Sequence, residues 1–247
     1  MILGLLVGVL VFAPARWLAG LARQASGGQL LLEDARGTLW TGSARLTLSG
    51  GAGSLDAATL PGRLAWQLRP GWTGLLAHLS ADCCLQQVWT WHVSPRLRGL
   101  QLVFSDSESQ WPAQWLTGLG TPWNTIQAQG QLAVSTQGLT LTWAAGRLQV
   151  AGRAQIDALG LSSRLSTLRP MGSYRVTLGG GAAPALVLAT LSGSLQLSGQ
   201  GQWVGNTFRF VGEASAAPES LAALSNLLNI IGRRWAQGPS SKWVEYE

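Results

Sequence analysis

Few residues of this 247-residue chain have the types and spacing that acid–base or metal chemistry requires. The only histidines are His78 and His92, and no carboxylate lies close to either in the sequence, so a metal site is disfavoured. No apolar pocket that would shift a pKa is evident around Glu33-Asp34 or around the pair Asp106 and Glu108, and solvated loops explain both. No nucleophile elbow, phosphate-binding loop or zinc-protease motif occurs. We therefore predict that the protein is not an enzyme, with no catalytic residue, metal or cofactor.

The two cysteines, Cys83 and Cys84, are adjacent. Neighbouring Cα atoms lie about 3.8 Å apart, below the usual range of about 4.4–6.8 Å for a disulfide. Two unbonded thiols are therefore the preferred prediction, and a vicinal disulfide is the alternative.

The charge balance is basic but sparse. Seventeen Lys and Arg residues against eleven Asp and Glu give a net charge of +6, yet Lys242 is the only lysine and the arginines are dispersed. This pattern disfavours nucleic-acid binding, which concentrates basic residues on one face. An anionic membrane surface or an acidic protein partner fits the dispersed arginines better.

The N-terminus predicts a membrane anchor. Residues 1–13 carry no charged side chain, and a 22-residue helix would reach about 33 Å, enough for a hydrocarbon core of about 30 Å. Residues 1–22 are therefore predicted as a transmembrane anchor, and residues 23–247 as a periplasmic β-rich domain, although length alone does not choose between one domain and two. The predicted anchor residues are Ile2, Leu5, Leu6, Val9, Leu10, Phe12 and Trp17.

Two observations oppose this interpretation of the N-terminus. Ala13-Pro14-Ala15 loosely resembles a signal-peptide cleavage site, so a cleaved signal peptide is the alternative. Arg16 and Arg23 follow the apolar span, a flank that the positive-inside tendency would place in the cytoplasm.

After residue 28 the dominant signal is strict alternation of apolar and polar residues, which is typical of half-buried antiparallel strands. Examples are Leu46 and Leu48 against Arg45 and Thr47, and Leu64, Trp66 and Leu68 against Gln67 and Arg69. Glycines within strands, at Gly130, Gly152, Gly199 and Gly212, predict bulges or bends. We predict an all-β fold: a curved, meandering antiparallel sheet that forms a groove or a partly open barrel.

One C-terminal segment breaks the alternation. Leu221, Leu224, Leu228 and Ile231 share a helical face, with Pro218 at the first turn and Gly232 suited to the stop. A short C-terminal helix that covers a sheet edge is therefore predicted.

The aromatic residues suggest one binding hypothesis. Thirteen tryptophans can stack on bases or sugars, although core packing is the better explanation. If the sheet forms an open groove, its apolar stripe would accommodate a lipid acyl chain. The candidate groove residues are Trp66, Trp89, Trp91, Trp143, Phe208 and Phe210.

Several segments together resemble the type II secretion system protein N family, also called general secretion pathway protein N. They are the apolar N-terminal span, Ala35-Arg36-Gly37-Thr38-Leu39-Trp40, Pro122-Trp123-Asn124-Thr125, Pro170-Met171-Gly172-Ser173-Tyr174, and Leu227 to Arg234. The resemblance covers essentially the whole chain and implies a non-enzymatic inner-membrane protein whose main domain is periplasmic. It also implies that other secretion subunits are the partners.

The family is similar, more distantly, to the AsmA-like group of grooved β-proteins that handle envelope lipids. This likeness implies lipid binding or transfer as the alternative function. The chain departs from the expected pattern in lacking a charged cytoplasmic tail.

Overall fold

The computed structural model describes residues 8, 11–97, 99–144, 146–181, 184–204, 207–231, 233–234 and 241–246. The chain divides into two compact units. Unit 1 comprises Met1–Ser94 and Trp115–Thr125, and unit 2 comprises Pro95–Gln114 and Ile126–Glu247.

Unit 1 is an antiparallel sheet with the strand order β1-β2-β4-β5-β6, in which β3 pairs with the far end of β2. Its hairpins follow the chain order because short turns join consecutive antiparallel strands. The strands are β1 (Leu30–Gly37), β2 (Thr41–Ser49), β3 (Ala57–Thr59), β4 (Leu64–Gly71), β5 (Gly74–Ala81) and β6 (Trp89–Arg96).

Unit 2 is also antiparallel, in the order β7-β9-β10-β11-β12-β13-β14-β16-β15, with β8 paired to the first half of β9. The strands are β7 (Gly99–Phe104), β8 (Ser107–Pro112), β9 (Gln129–Ala144), β10 (Arg147–Ser162), β11 (Gly172–Gly179), β12 (Ala185–Gly193), β13 (Leu195–Val204), β14 (Thr207–Ala216), β15 (Arg233–Arg234) and β16 (Ser241–Tyr246). Among the described strands neither order returns to its first member, so the antiparallel sheet is not closed. The all-β prediction is confirmed.

Helices are few. They are α1 (Ala15–Ala25), α2 (Trp123–Ile126) and α3 (Leu221–Ile231), with 3₁₀ helices η1 (Ala113–Leu119) and η2 (Pro218–Ser220). The predicted short C-terminal helix is confirmed: Pro218 opens η2 and α3 follows directly. Gly232, the predicted stop, lies outside the described residues.

The N-terminal region differs from the predicted continuous helix. Phe12, Ala13 and Pro14 are not helical, and α1 begins only after Pro14, which is extended with ψ 148°. Within the described part of the chain, no helix is long and apolar enough to cross a membrane. The predicted boundary between residues 22 and 23 falls inside α1. The predicted anchor residues Ile2, Leu5, Leu6, Val9 and Leu10 lie outside the described residues.

The core of unit 1 forms where α1 packs on the sheet. Trp66 of β4 is 2% exposed and contacts Ala15 of α1 and Ala44 of β2, both fully buried. Small residues at positions 15 and 44 leave space for the indole, because a larger side chain there would compete for the same volume. Leu18 and Leu68 close the cluster.

The core of unit 2 lies beneath α3. Leu224 and Leu227 of α3 are buried against Leu195 of β13 and Tyr174 of β11. The Tyr174 hydroxyl donates to the Leu195 carbonyl oxygen over 3.1 Å, which satisfies its polar atom inside the core. Burial raises the pKa of the Tyr174 phenol well above its usual range.

Candidate interaction surfaces

The two histidines lie on neighbouring strands of unit 1, with hydroxyl groups as their partners. Nδ1 of His78 is 3.4 Å from the Thr90 hydroxyl, and the His92 ring lies 3.4 Å from Ser94 Oγ and 3.5 Å from Thr73 Oγ1. A general base needs a group that orients it, most often a carboxylate. No described carboxylate bonds either ring, and no group of three or more potential metal ligands occurs in the described residues.

Glu33 and Asp34 were expected in a solvated loop, and this prediction is wrong because both belong to β1. Glu33 Oε2 accepts a hydrogen bond of 2.9 Å from Thr47, whose hydroxyl also lies 2.9 Å from Thr59 Oγ1. These bonds explain why Thr47, expected on the polar side of β2, is only 1% exposed. A buried hydroxyl is tolerated when its hydrogen bonds are made.

Asp34 anchors a bulge in β1, where the register shifts between Glu33 and Arg36. Its φ of 50° is in the left-handed region that Asp tolerates better than most residues. Arg63 donates to the Asp34 carboxylate over 2.8 Å and to the Ser43 carbonyl oxygen over 3.0 Å. The hydrogen bonds from Arg63 and Arg36 lower the pKa of Asp34. The ion pair between Arg63 and Asp34 therefore links β1 to the segment before β4.

A second ion pair crosses β10 and β11 in unit 2. Arg175 donates to both carboxylate oxygens of Asp157 over 2.7 Å each, and this bonding lowers the pKa of Asp157. A lowered carboxyl pKa stabilises the fold above the unfolded value of about 3.9, and this contribution disappears as the pH falls through the folded pKa.

We expect Asp157→Asn to cost roughly 1 kcal/mol of unfolding free energy at pH 7 and less at about pH 2.5, because the carboxylate becomes protonated as the pH falls through its folded pKa. Urea unfolding at the two pH values measures the difference. Glu108→Gln is the control, because Glu108 is exposed on β8 and forms no ion pair with described residues. An equal loss for Asp157→Asn at both pH values would contradict the electrostatic explanation.

Cys83 and Cys84 form a disulfide, so the prediction of two free thiols is wrong. They occupy the turn after β5, where the amides of Cys84 and Leu85 both donate to the Ala81 carbonyl oxygen. This tight turn holds the adjacent side chains together, with Cys84 buried and Cys83 exposed.

The predicted groove residues of unit 1 occupy different environments. Trp66 is sealed beneath α1, and its Nε1 donates to the Leu39 carbonyl oxygen over 3.1 Å, so it is a core residue and lines no groove. Trp89 and Trp91 of β6 are half-buried and meet edge to face, with ring centroids 5.0 Å apart. That geometry is the preferred one for aromatic pairs.

The predicted groove residues of unit 2 lie on distant strands. Trp143 of β9 is 52% exposed and pairs with Leu148 of β10. Phe208 and Phe210 belong to β14, separated from β9 by four strands. The Phe208 ring lies 4.6 Å from that of Trp203 on β13. Within unit 2, Trp143 and the two phenylalanines therefore lie on strands that are not neighbours.

Gly199 and Gly212 pair in a regular β13–β14 ladder, so of the predicted bulge or bend, the bulge is absent there. Their role is to leave room for Phe210: a Cβ on Gly199 would lie 2.4 Å from the Phe210 ring. Gly152 has φ 75° at a shift of register between Ala151 and Arg153, so the prediction is confirmed there.

We expect Gly199→Ala to cost about 1–3 kcal/mol, because the ring must leave its position. Combining it with Phe210→Leu should cost less than the sum of the single changes, and urea unfolding of the three variants and the unsubstituted protein measures this. Gly179→Ala is the control, since its Cβ would meet only the Ala185 carbonyl oxygen at 4.0 Å. Strict additivity of the Gly199 and Phe210 changes would contradict the proposed contact.

One end of unit 1 exposes an apolar group that is not among the residues predicted from the sequence. Trp72 is fully exposed in the turn between β4 and β5, and Phe12 is 77% exposed just before α1. The signal was present in Gly71-Trp72-Thr73-Gly74, where a large aromatic residue occupies a turn between alternating strands.

Both histidine rings have hydroxyl partners, the carboxylates of Glu33, Asp34 and Asp157 bond within the fold, and the apolar exposure is spread over sheet and turn. This arrangement defines a β-rich protein. The family model of the type II secretion system (T2SS), protein N, matches residues 28–241, so the chain belongs to this family and has an accessory role in type II secretion. No curated protein and no solved structure matches the chain.

Proposed function

We propose that this chain is a non-enzymatic accessory component of the type II secretion machinery, anchored at the inner membrane. In the periplasm it supports the export of folded proteins through contacts with other secretion subunits. The observation that carries the proposal is the family match, which spans both structural units. The titratable groups support it, because Asp34 and Asp157 are held in structural ion pairs.

The test is deletion of the gene in the source bacterium and measurement of exoproteins in the culture medium. We expect exoproteins to be lost from the medium and retained in the periplasm, and a membrane-anchored copy to restore their export. Normal export in the deletion strain would overturn the proposal. Cross-linking followed by affinity purification should recover inner-membrane secretion subunits, and their absence would count against protein contacts as the mechanism.

An apolar sheet face favours a second candidate, the binding of lipid acyl chains. Leu186 and Leu188 of β12 and Phe208 and Phe210 of β14 are half-buried, whereas α3 packs at the Leu195 end of the strands. Such a face is suited to an apolar ligand. Native mass spectrometry of the purified chain should then reveal bound lipid, and a lipid-free spectrum would remove this candidate.

A further inference from the structure

The end of unit 1 where α1 begins exposes an unusual set of side chains. Phe12, Trp17 and Trp72 are all large and aromatic, and each is at least 47% exposed. Scattered exposed apolar residues are ordinary, and the opposite end of unit 1 carries one exposed aromatic residue, Trp123 at 38%. Three aromatic residues exposed to a greater degree at a single end mark an interaction surface.

The strand register places these residues at the same end of the sheet. The Leu39 amide donates to the Ala13 carbonyl oxygen over 2.7 Å, which fixes the start of α1 beside the start of β2. Thr41, the first residue of β2, pairs with Gln67 of β4. From there β4 continues beyond the start of β2 to the turn that carries Trp72.

The same end is basic. Arg16 of α1 and Arg69 of β4 are exposed, and α1 contains no acidic residue. Asp34 of β1 does not offset them, because Arg63 and Arg36 already engage its carboxylate. Aromatic rings combined with arginines fit the headgroup region of an anionic bilayer, where the rings sit at the interface and the guanidinium groups bind phosphate. An uncharged apolar run precedes Phe12 in the sequence.

We propose that this docking end, consisting of Phe12, Arg16, Trp17, Arg69 and Trp72, rests in the headgroup layer of an anionic membrane. The proposal rests on the inner-membrane placement given above and deepens it. The anchored domain is then held in one orientation, with the β4–β5 turn against the bilayer and the opposite end of β2 directed away. Since β2 has nine residues, its own two ends are about 25 Å apart, and the β4–β5 turn lies beyond the nearer of them.

The test places a fluorophore beside Trp72 in the full chain. Thr73→Cys, labelled with an environment-sensitive maleimide dye, is reconstituted in bilayers of phosphatidylcholine with or without phosphatidylglycerol. Without reductant the dye reacts only with the new thiol, because Cys83 and Cys84 are bonded to each other. The control label is at Leu55→Cys, a fully exposed position in the loop at the opposite end of β2.

With phosphatidylglycerol present, headgroup spin labels should quench the Thr73 dye at least twofold more than the Leu55 dye. Arg16→Gln with Arg69→Gln should remove at least half of that difference. The charge-matched control, Arg23→Gln with Arg45→Gln, changes two exposed arginines of unit 1 outside the docking end and should leave it unchanged.

Equal quenching of the two dyes, or quenching of the same strength with and without phosphatidylglycerol, would overturn the proposal. The proposal would also be overturned if lipid quenchers did not reach the dye at position 73 but purified secretion subunits shielded it. That result would identify a protein contact. The experiment does not depend on export: a chain that docks but is dispensable for secretion would contradict only the proposed function.

Discussion

Trp66→Ala should cost about 3–5 kcal/mol of unfolding free energy, the largest effect expected in unit 1. The indole is 2% exposed and fills the space between α1 and the sheet, where Ala15 and Ala44 are fully buried. The substitution leaves a cavity that alanines cannot fill, and it leaves the Leu39 carbonyl oxygen without its indole donor. Urea unfolding, combined with amide hydrogen exchange in β2 and β4, measures the loss.

The matched control is Trp72→Ala, which removes the same side chain from a fully exposed turn six residues later. It should change the unfolding free energy by less than about 0.5 kcal/mol. If both substitutions cost the same, Trp66 is not the core residue that its burial indicates. Accelerated exchange should be concentrated in β2 and β4, because these strands and α1 share the cavity.

The same strand shows what the sequence made predictable. Leu64, Trp66 and Leu68 alternate with polar residues, and this pattern predicts β4 because period-two alternation is a local property. The helix that covers Trp66, α1, was not predictable from the sequence. The uncharged apolar run before it and α1 together have the pattern of one continuous helix. Pro14 ends that continuity, and only the tertiary structure shows α1 packed on the sheet.

The candidate site was predictable to a lesser degree. Glu33-Asp34 has the polarity of a loop, and only the pairing of β1 with β2 shows that Asp34 belongs to a bulged strand held by Arg63. Trp66 and Trp143 both lie in alternating strands, yet one is sealed and the other is half-exposed. Alternation identifies which side chains share a face, but which faces become covered depends on distant segments.

Leu224→Ala should produce the largest effect in unit 2, a loss of about 2–5 kcal/mol. Leu224 has no exposed surface and lies with Leu227 in the cluster that joins α3 to β11, β13 and β14. Because α3 is only 11 residues long, its stability depends on this contact rather than on intrinsic helix propensity. Loosening α3 also uncovers apolar sheet surface, so binding of a hydrophobic dye should rise together with the loss of stability.

Leu159→Ala is the control for this change, because Leu159 of β10 belongs to the same unit and is 42% exposed. It should cost less than about 1 kcal/mol and leave dye binding unchanged, since little apolar contact is lost. Urea unfolding measures the stability of both variants, and dye titration measures how much apolar surface each exposes. A Leu224→Ala protein with normal stability and increased dye binding would mean that α3 covers the sheet without stabilising it. That result would contradict the role in the core assigned to Leu224.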